Sequence, residues 1–100
     1  MDILLEKNDK KLNISLVGRL DTNTAPELDN KLADEIEGIN EIIINLVDLD
    51  YISSAGLRVV LKYHKQMTSL KGKLLIVKPK EEVMEVFDMT GFSTFLNIEE

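Results

Sequence analysis

The residues with chemistry to offer gather in one stretch, Asp48-Leu-Asp-Tyr-Ile-Ser-Ser-Ala-Gly-Leu-Arg58. Two hydroxyls, Ser53 and Ser54, stand where a short apolar run gives way to helical spacing. A hydroxyl at a helix start has two possible uses. It can cap the free N–H groups of the first turn. It can also accept a phosphoryl group, whose negative charge the positive end of the helix dipole tolerates. Arg58 lies one turn beyond Ser54 and could pair with such a phosphate, whereas Asp48 and Asp50 would repel it. Chemistry alone favours capping, and the phosphoacceptor reading stays open beside it.

Other reactions find less support. Serine hydrolysis needs a base, and the chain has a single histidine. His64 falls ten residues after Ser54, about 15 Å along the same helix. It is expected to be a satisfied, partly buried side chain. The residues around Ser53 and Ser54 also lack the Gly-x-Ser-x-Gly elbow. Asp48 and Asp50, with Asp21 in reach, could attract a hard cation, but no motif sets a geometry and loop aspartates commonly form turns. No metal site is expected. Neither phosphate-binding glycine motif is present, so no nucleotide or other cofactor is expected.

Composition narrows the classes further. One hundred residues, 44% hydrophobic and 30% charged, suit one soluble domain spanning 1–100. Cysteine is absent, which removes thiol chemistry and fits a reducing compartment. The net charge of −6 argues against nucleic-acid binding. Met1–Glu6 does not read as a secretory signal, and no apolar run approaches the ~20 residues of a membrane span. The expectation is a cytoplasmic protein that binds neither nucleic acid nor membrane.

The elements that must position the two serines read as follows. Ile3–Leu5 is a short strand, joined through Asn8–Lys11 to an alternating strand, 12–17, that Gly18 ends. Thr24, Pro26 and Glu27 form a capping-box pattern opening an amphipathic helix over 25–37, and Gly38 closes it. Ile42–Leu46 is a buried strand. Loop 47–53 follows, and then a helix over about 54–71 buries Leu57, Val60, Leu61, His64 and Met67. Leu74–Val77 is another strand. A third helix starts at Pro79, buries Val83, Val86 and Phe87, and stops before Gly91. Phe95–Ile98 is a last strand. The order β-β-α-β-α-β-α-β implies an α/β fold with a mixed, mostly parallel sheet and helices packed on it. Ligands of such sheets sit beyond the carboxyl ends of the strands, where both Arg19–Thr24 and loop 47–53 belong.

Three motifs carry a family resemblance. They are Gly18-Arg-Leu-Asp21, the run Ile43-Ile-Asn-Leu-x-x-Leu-x-Tyr-Ile-x-Ser54-x-Gly-Leu57, and Val83-x-x-Val-Phe-x-x-Thr-Gly-Phe92. With them the chain resembles the STAS domain in its bacterial anti-sigma factor antagonist form, over nearly its whole length. The resemblance implies a partner-switching protein that is not itself an enzyme. Such an antagonist binds an anti-sigma factor that is also a serine kinase, and so releases a sigma factor. Phosphorylation of one serine breaks the complex, and a PP2C-type serine phosphatase resets it. The family's acceptor stands two residues before the Gly-Leu pair, which here makes it Ser54.

The implied partner-binding face is Asp21, Thr22, Asn23, Thr24, Asp48, Asp50, Ser53, Gly56, Leu57 and Arg58. Gly56 either admits a partner closely or serves helix packing, and both readings stand. This chain departs from the family at Ser53, where aspartate is common, and at Ala55, where serine or threonine is common. It also stops at Glu100, where many relatives continue into a further helix, so one face or edge of the sheet is expected to be less covered or that region to be used differently. A monomer is expected. The alternative function is an unphosphorylated STAS subunit of a transporter ATPase or sensory complex.

Overall fold

The computed structural model describes all residues, 1–100. Strand β1 (Asp2–Asn8) turns through Asp9 and Lys10 into β2 (Lys11–Leu20). Helix α1 (Ala25–Glu35), β3 (Glu41–Ile52), α2 (Ser54–Ser69), β4 (Lys73–Val77), α3 (Glu81–Met89) and β5 (Asn97–Glu99) follow, with one 3-10 turn at Phe92–Thr94. The five strands lie in chain order, β1 antiparallel to β2 and every other pair parallel. The expected element order and mixed sheet are therefore present.

Alternation along the strands sets the layers. Leu12, Ile14, Leu16, Ile42, Ile44, Leu46, Leu74 and Ile76 are buried on the face that the helices cover. Asn13, Ser15, Ile43, Asn45, Leu75 and Val77 alternate with them and stay half-exposed, so the opposite face is only partly shielded. The core contains 23 apolar residues and no polar one. It therefore carries no buried charge that needs compensation.

Three local expectations are corrected. Gly18 does not end β2, which runs on to Leu20 with Gly18 at a φ of 108°, a conformation open to glycine. Residues 47–52 are not a loop. They extend β3 by pairing with the end of β2, since Val17 faces Asp48 and Arg19 faces Tyr51. This pairing needs two bulges. Between Asn45 and Asp48, and again between Leu49 and Tyr51, β3 carries one residue more than β2. Asn45 Oδ1 accepts the N–H of Val47 at 3.0 Å, satisfying a donor at the first bulge. Finally, Thr24 forms no capping box, because its hydroxyl donates to Arg19 O at 2.7 Å and accepts from Asp21 N at 2.8 Å.

Candidate functional site

The site lies at the carboxyl end of the sheet, where β2 and β3 finish side by side. Leu20 pairs with Ile52, and the N–H of Ser53 donates to Leu20 O at 2.9 Å. That bond ends the strand and starts the helix in one step. Ser53 then takes extended backbone angles, φ −98° and ψ 174°, and its Oγ accepts the N–H of Gly56 at 3.3 Å. It is the N-cap of α2. Ser54, the first helical residue, is exposed. The two neighbouring hydroxyls thus differ, one engaged by its own helix and the other turned outward.

Gly56 is buried, and its role is helix packing. A Cβ there would lie 2.7 Å from Leu20 Cγ, 2.9 Å from Leu20 Cδ2 and 3.1 Å from Ile52 Cγ1. Leu57 is also buried. Gly56 and Leu57, both expected on a partner-binding face, are instead buried where α2 packs on the sheet. Arg58, Asp48 and Asp50 are exposed, as are Thr22 and Asn23 at the tip of the β2–α1 turn.

Asp21 and Thr24 are half-buried and hold that turn together. Asp21 Oδ1 accepts the N–H groups of Asn23 and Thr24, each at 3.0 Å. Asp21 O accepts the N–H of Ala25 at 2.8 Å. The bond from the Thr24 N–H does most to hold the Asp21 carboxyl below its usual range. The Asp21 carboxylate thus orders the turn that leads into α1, whose N-cap, Thr24, makes no side-chain capping bond.

Two pairings were not foreseen. The Arg19 guanidinium lies over the Tyr51 ring, 4.2 Å from its centroid, and 3.9 Å from Asp21 Oδ2. Lys80, just before α3, donates to Asp50 Oδ1 at 2.5 Å, and this bond raises the lysine's pKa. Both depend on the β3 extension, so a reading that placed a loop at 47–53 had no register from which to find them.

No depression opens at the two serines. The four surface depressions are lined by other residues, and none includes Ser53, Ser54 or Arg58. His64 is half-buried, as expected, but not satisfied, since its Nδ1 is buried without a hydrogen-bond partner. Its ring packs at 5.7 Å from that of Phe95. No three His, Asp or Glu side chains are grouped so as to hold a metal ion.

The STAS domain family matches residues 2–100. This chain belongs to the STAS family. A Bordetella bronchiseptica protein assigned as an anti-sigma factor antagonist, BtrV, is 39% identical over 93 residues, covering 92% of this chain and 80% of that protein. The anti-sigma-B factor antagonist of Bacillus subtilis is 26% identical, covering 98% of this chain and 90% of its own. The solved structure of unphosphorylated SpoIIAA, an anti-sigma factor antagonist, superposes with a TM-score of 0.85 at 23% identity. It covers 97% of this chain and 87% of its own, and it shows the shared fold. No helix of this STAS protein is long and apolar enough to cross a membrane.

Proposed function

We propose that this STAS protein is a partner-switching anti-sigma factor antagonist whose switch is phosphorylation of Ser54. The reading rests on one observation above the others: Ser53 carries the capping bond of α2, which leaves Ser54 exposed on the first turn. The names of its relatives supply the partner class, an anti-sigma factor. In this reading that factor is also the serine kinase, a PP2C-type phosphatase removes the phosphate, and the exchange takes place in the cytoplasm. The antagonist itself catalyses nothing.

The docking face comprises Thr22 and Asn23, shaped by Asp21 and Thr24, together with Asp48, Asp50, Ser54 and Arg58. A phosphate on Ser54 would add roughly −1.5 to −2 charges. The dipole of α2 and Arg58 would tolerate it, whereas a complementary partner surface packed there would not. The fold stays and the complex is lost.

Incubation with the cognate anti-sigma kinase and ATP, followed by mass spectrometry, tests this. One phosphate is expected on the wild type and none on Ser54→Ala. Ser54→Ala should bind the anti-sigma factor, and Ser54→Asp should bind it more weakly. A phosphate that survives Ser54→Ala would move the site to another hydroxyl. No phosphate at all would favour the unphosphorylated-subunit role.

A further inference from the structure

We infer that Arg19, Tyr51 and Val47 form a second contact patch for the anti-sigma factor, extending the Ser54 face onto the end of the sheet. The inference rests on the proposed function above. Six large apolar side chains are exposed in the whole chain, and two of them, Val47 and Tyr51, fall within one five-residue stretch of β3. Two bulges fall within or beside that stretch where it pairs with β2, and bulges commonly serve to point a side chain.

The patch is pre-organised. Arg19 is held over the Tyr51 ring at 4.2 Å while its side chain remains 60% exposed. A stacked Arg–Tyr pair loses little freedom on binding, and these two residue types dominate the energetically decisive positions of interfaces. The nearest carboxylate, Asp21, engages its Oδ1 in the β2–α1 turn and leaves Oδ2 at 3.9 Å from Arg19. Most of the guanidinium's five donors are therefore free. The matching surface offers a carboxylate to Arg19 and an apolar side chain to Tyr51 and Val47.

Position joins the patch to the switch. Tyr51 is three residues before Ser54, no more than about 11 Å along an extended chain. A standard interface covers ~800 Å² on each partner, a disc of about 16 Å radius, so one partner spans both. Arg19 faces Tyr51 across the β2–β3 pair, and the next residue pair, Leu20–Ile52, abuts Ser53. The same anti-sigma factor that meets Ser54 is thus the occupant of the patch.

Affinity for the purified anti-sigma factor, measured by calorimetry on the full chain, tests the inference. Tyr51→Ala and Arg19→Ala are each expected to weaken binding at least tenfold, and Tyr51→Phe by no more than twofold, since the ring remains. The double variant should lose less than the product of the two single losses, because the pair acts as a unit. Leu70→Ala serves as control. Leu70 is 55% exposed at the far end of α2, about 24 Å from Ser54, and its loss should leave affinity within twofold. Amide spectra of every variant check that the fold is intact. Tyr51→Ala binding within twofold of wild type, while Ser54→Asp binding is lost, overturns the patch and leaves the Ser54 reading standing. Equal losses from Tyr51→Ala and Leu70→Ala overturn it too. A wild-type protein that does not bind the factor at all refutes the function on which the patch depends.

Discussion

Gly56→Ala offers a sharp test of how the site is built, because two physical effects predict opposite signs. In a helix, alanine is better than glycine by up to ~1 kcal/mol, so propensity predicts a more stable protein. Packing predicts the reverse. The added methyl would stand 2.7 Å from Leu20 Cγ and 3.1 Å from Ile52 Cγ1. Leu20 has no exposed surface into which to retreat, and Ile52 only 2%. Overpacking of this kind costs ~1–3 kcal/mol. Packing should win, with a net loss of about 1 kcal/mol, which lowers the melting temperature of a domain this size by ~4–8 °C. Urea denaturation followed by far-UV circular dichroism measures the change. Leu20→Ala provides the internal control. It costs ~2–5 kcal/mol on its own, but it deletes the two closest contacts. In that background Gly56→Ala should be neutral or stabilising. Gly56→Ala at or above wild-type stability, or an equal loss in both backgrounds, would refute the view that α2 is seated on Leu20 through Gly56.

Further expectations concern the supports of the site. Tyr63→Phe removes the hydroxyl that donates to Asp29 Oδ1 at 2.6 Å and links α2 to α1. A hydrogen bond to a charged group is worth ~1.5–3 kcal/mol, and the half-exposed Asp29 places the loss at the low end or below. The Tyr63 bond is the main cause that depresses the Asp29 pKa in the fold. Its contribution is therefore complete above the unfolded aspartate value of about 3.9 and is lost as pH falls through the lower folded value. The urea curves of wild type and Tyr63→Phe should differ at pH 6 to 7 and converge in acid, and a constant gap would contradict the linkage. Ser53→Ala should cost ~0.5–2 kcal/mol as a lost cap. It should still be phosphorylated at Ser54, and loss of the phosphate by mass spectrometry would mean that the acceptor had been misassigned. Gly72→Ala places a methyl 1.8 Å from the backbone oxygen of Asn40. It should destabilise by about 3 kcal/mol or more, visibly worse than Gly56→Ala in the same denaturation assay.

Much of the fold was legible because its strands alternate or run apolar and its helices are punctuated. Asn8–Lys11, Gly91 and Ser53 mark the boundaries expected of them, whereas α1 ends at Glu35, short of Gly38. The misreadings share a cause, which is that a tertiary partner decided them. The extension of β3 needs the end of β2 and two bulges, and bulges break the period-two signal in the segment that carries Asp48–Ile52. The inner face of α2 centres on Gly56, Val59, Val60, Tyr63 and Met67, which moves His64 and Leu61 to its margin. Tyr63 goes inward because Asp29 on α1 receives its hydroxyl, and a hydropathy pattern does not register such a bond. Thr24 fails as a cap for a similar reason, since its hydroxyl oxygen accepts the N–H of Asp21 and its O–H donates to Arg19 O, both outside the helix.

Under the proposed function, the division of labour between Ser53 and Ser54 explains how a phosphate on Ser54 would act on partners and spare the fold. If Ser54 capped α2, a phosphate there would first disturb the helix start, and the loss of binding would follow from local unfolding. Here the cap is Ser53, the strand end is fastened through Ser53 N to Leu20 O, and the helix start is seated by Gly56 on Leu20 and Ile52. Ser54 holds none of these bonds. A charge placed on it meets a framework already satisfied, beside carboxylates at Asp48 and Asp50, of which Asp50 is matched by Lys80. The added charge is then felt by whatever packs against the face. Under the proposed function, rigidity beneath an exposed acceptor would turn a phosphate on Ser54 into a signal read at the interface.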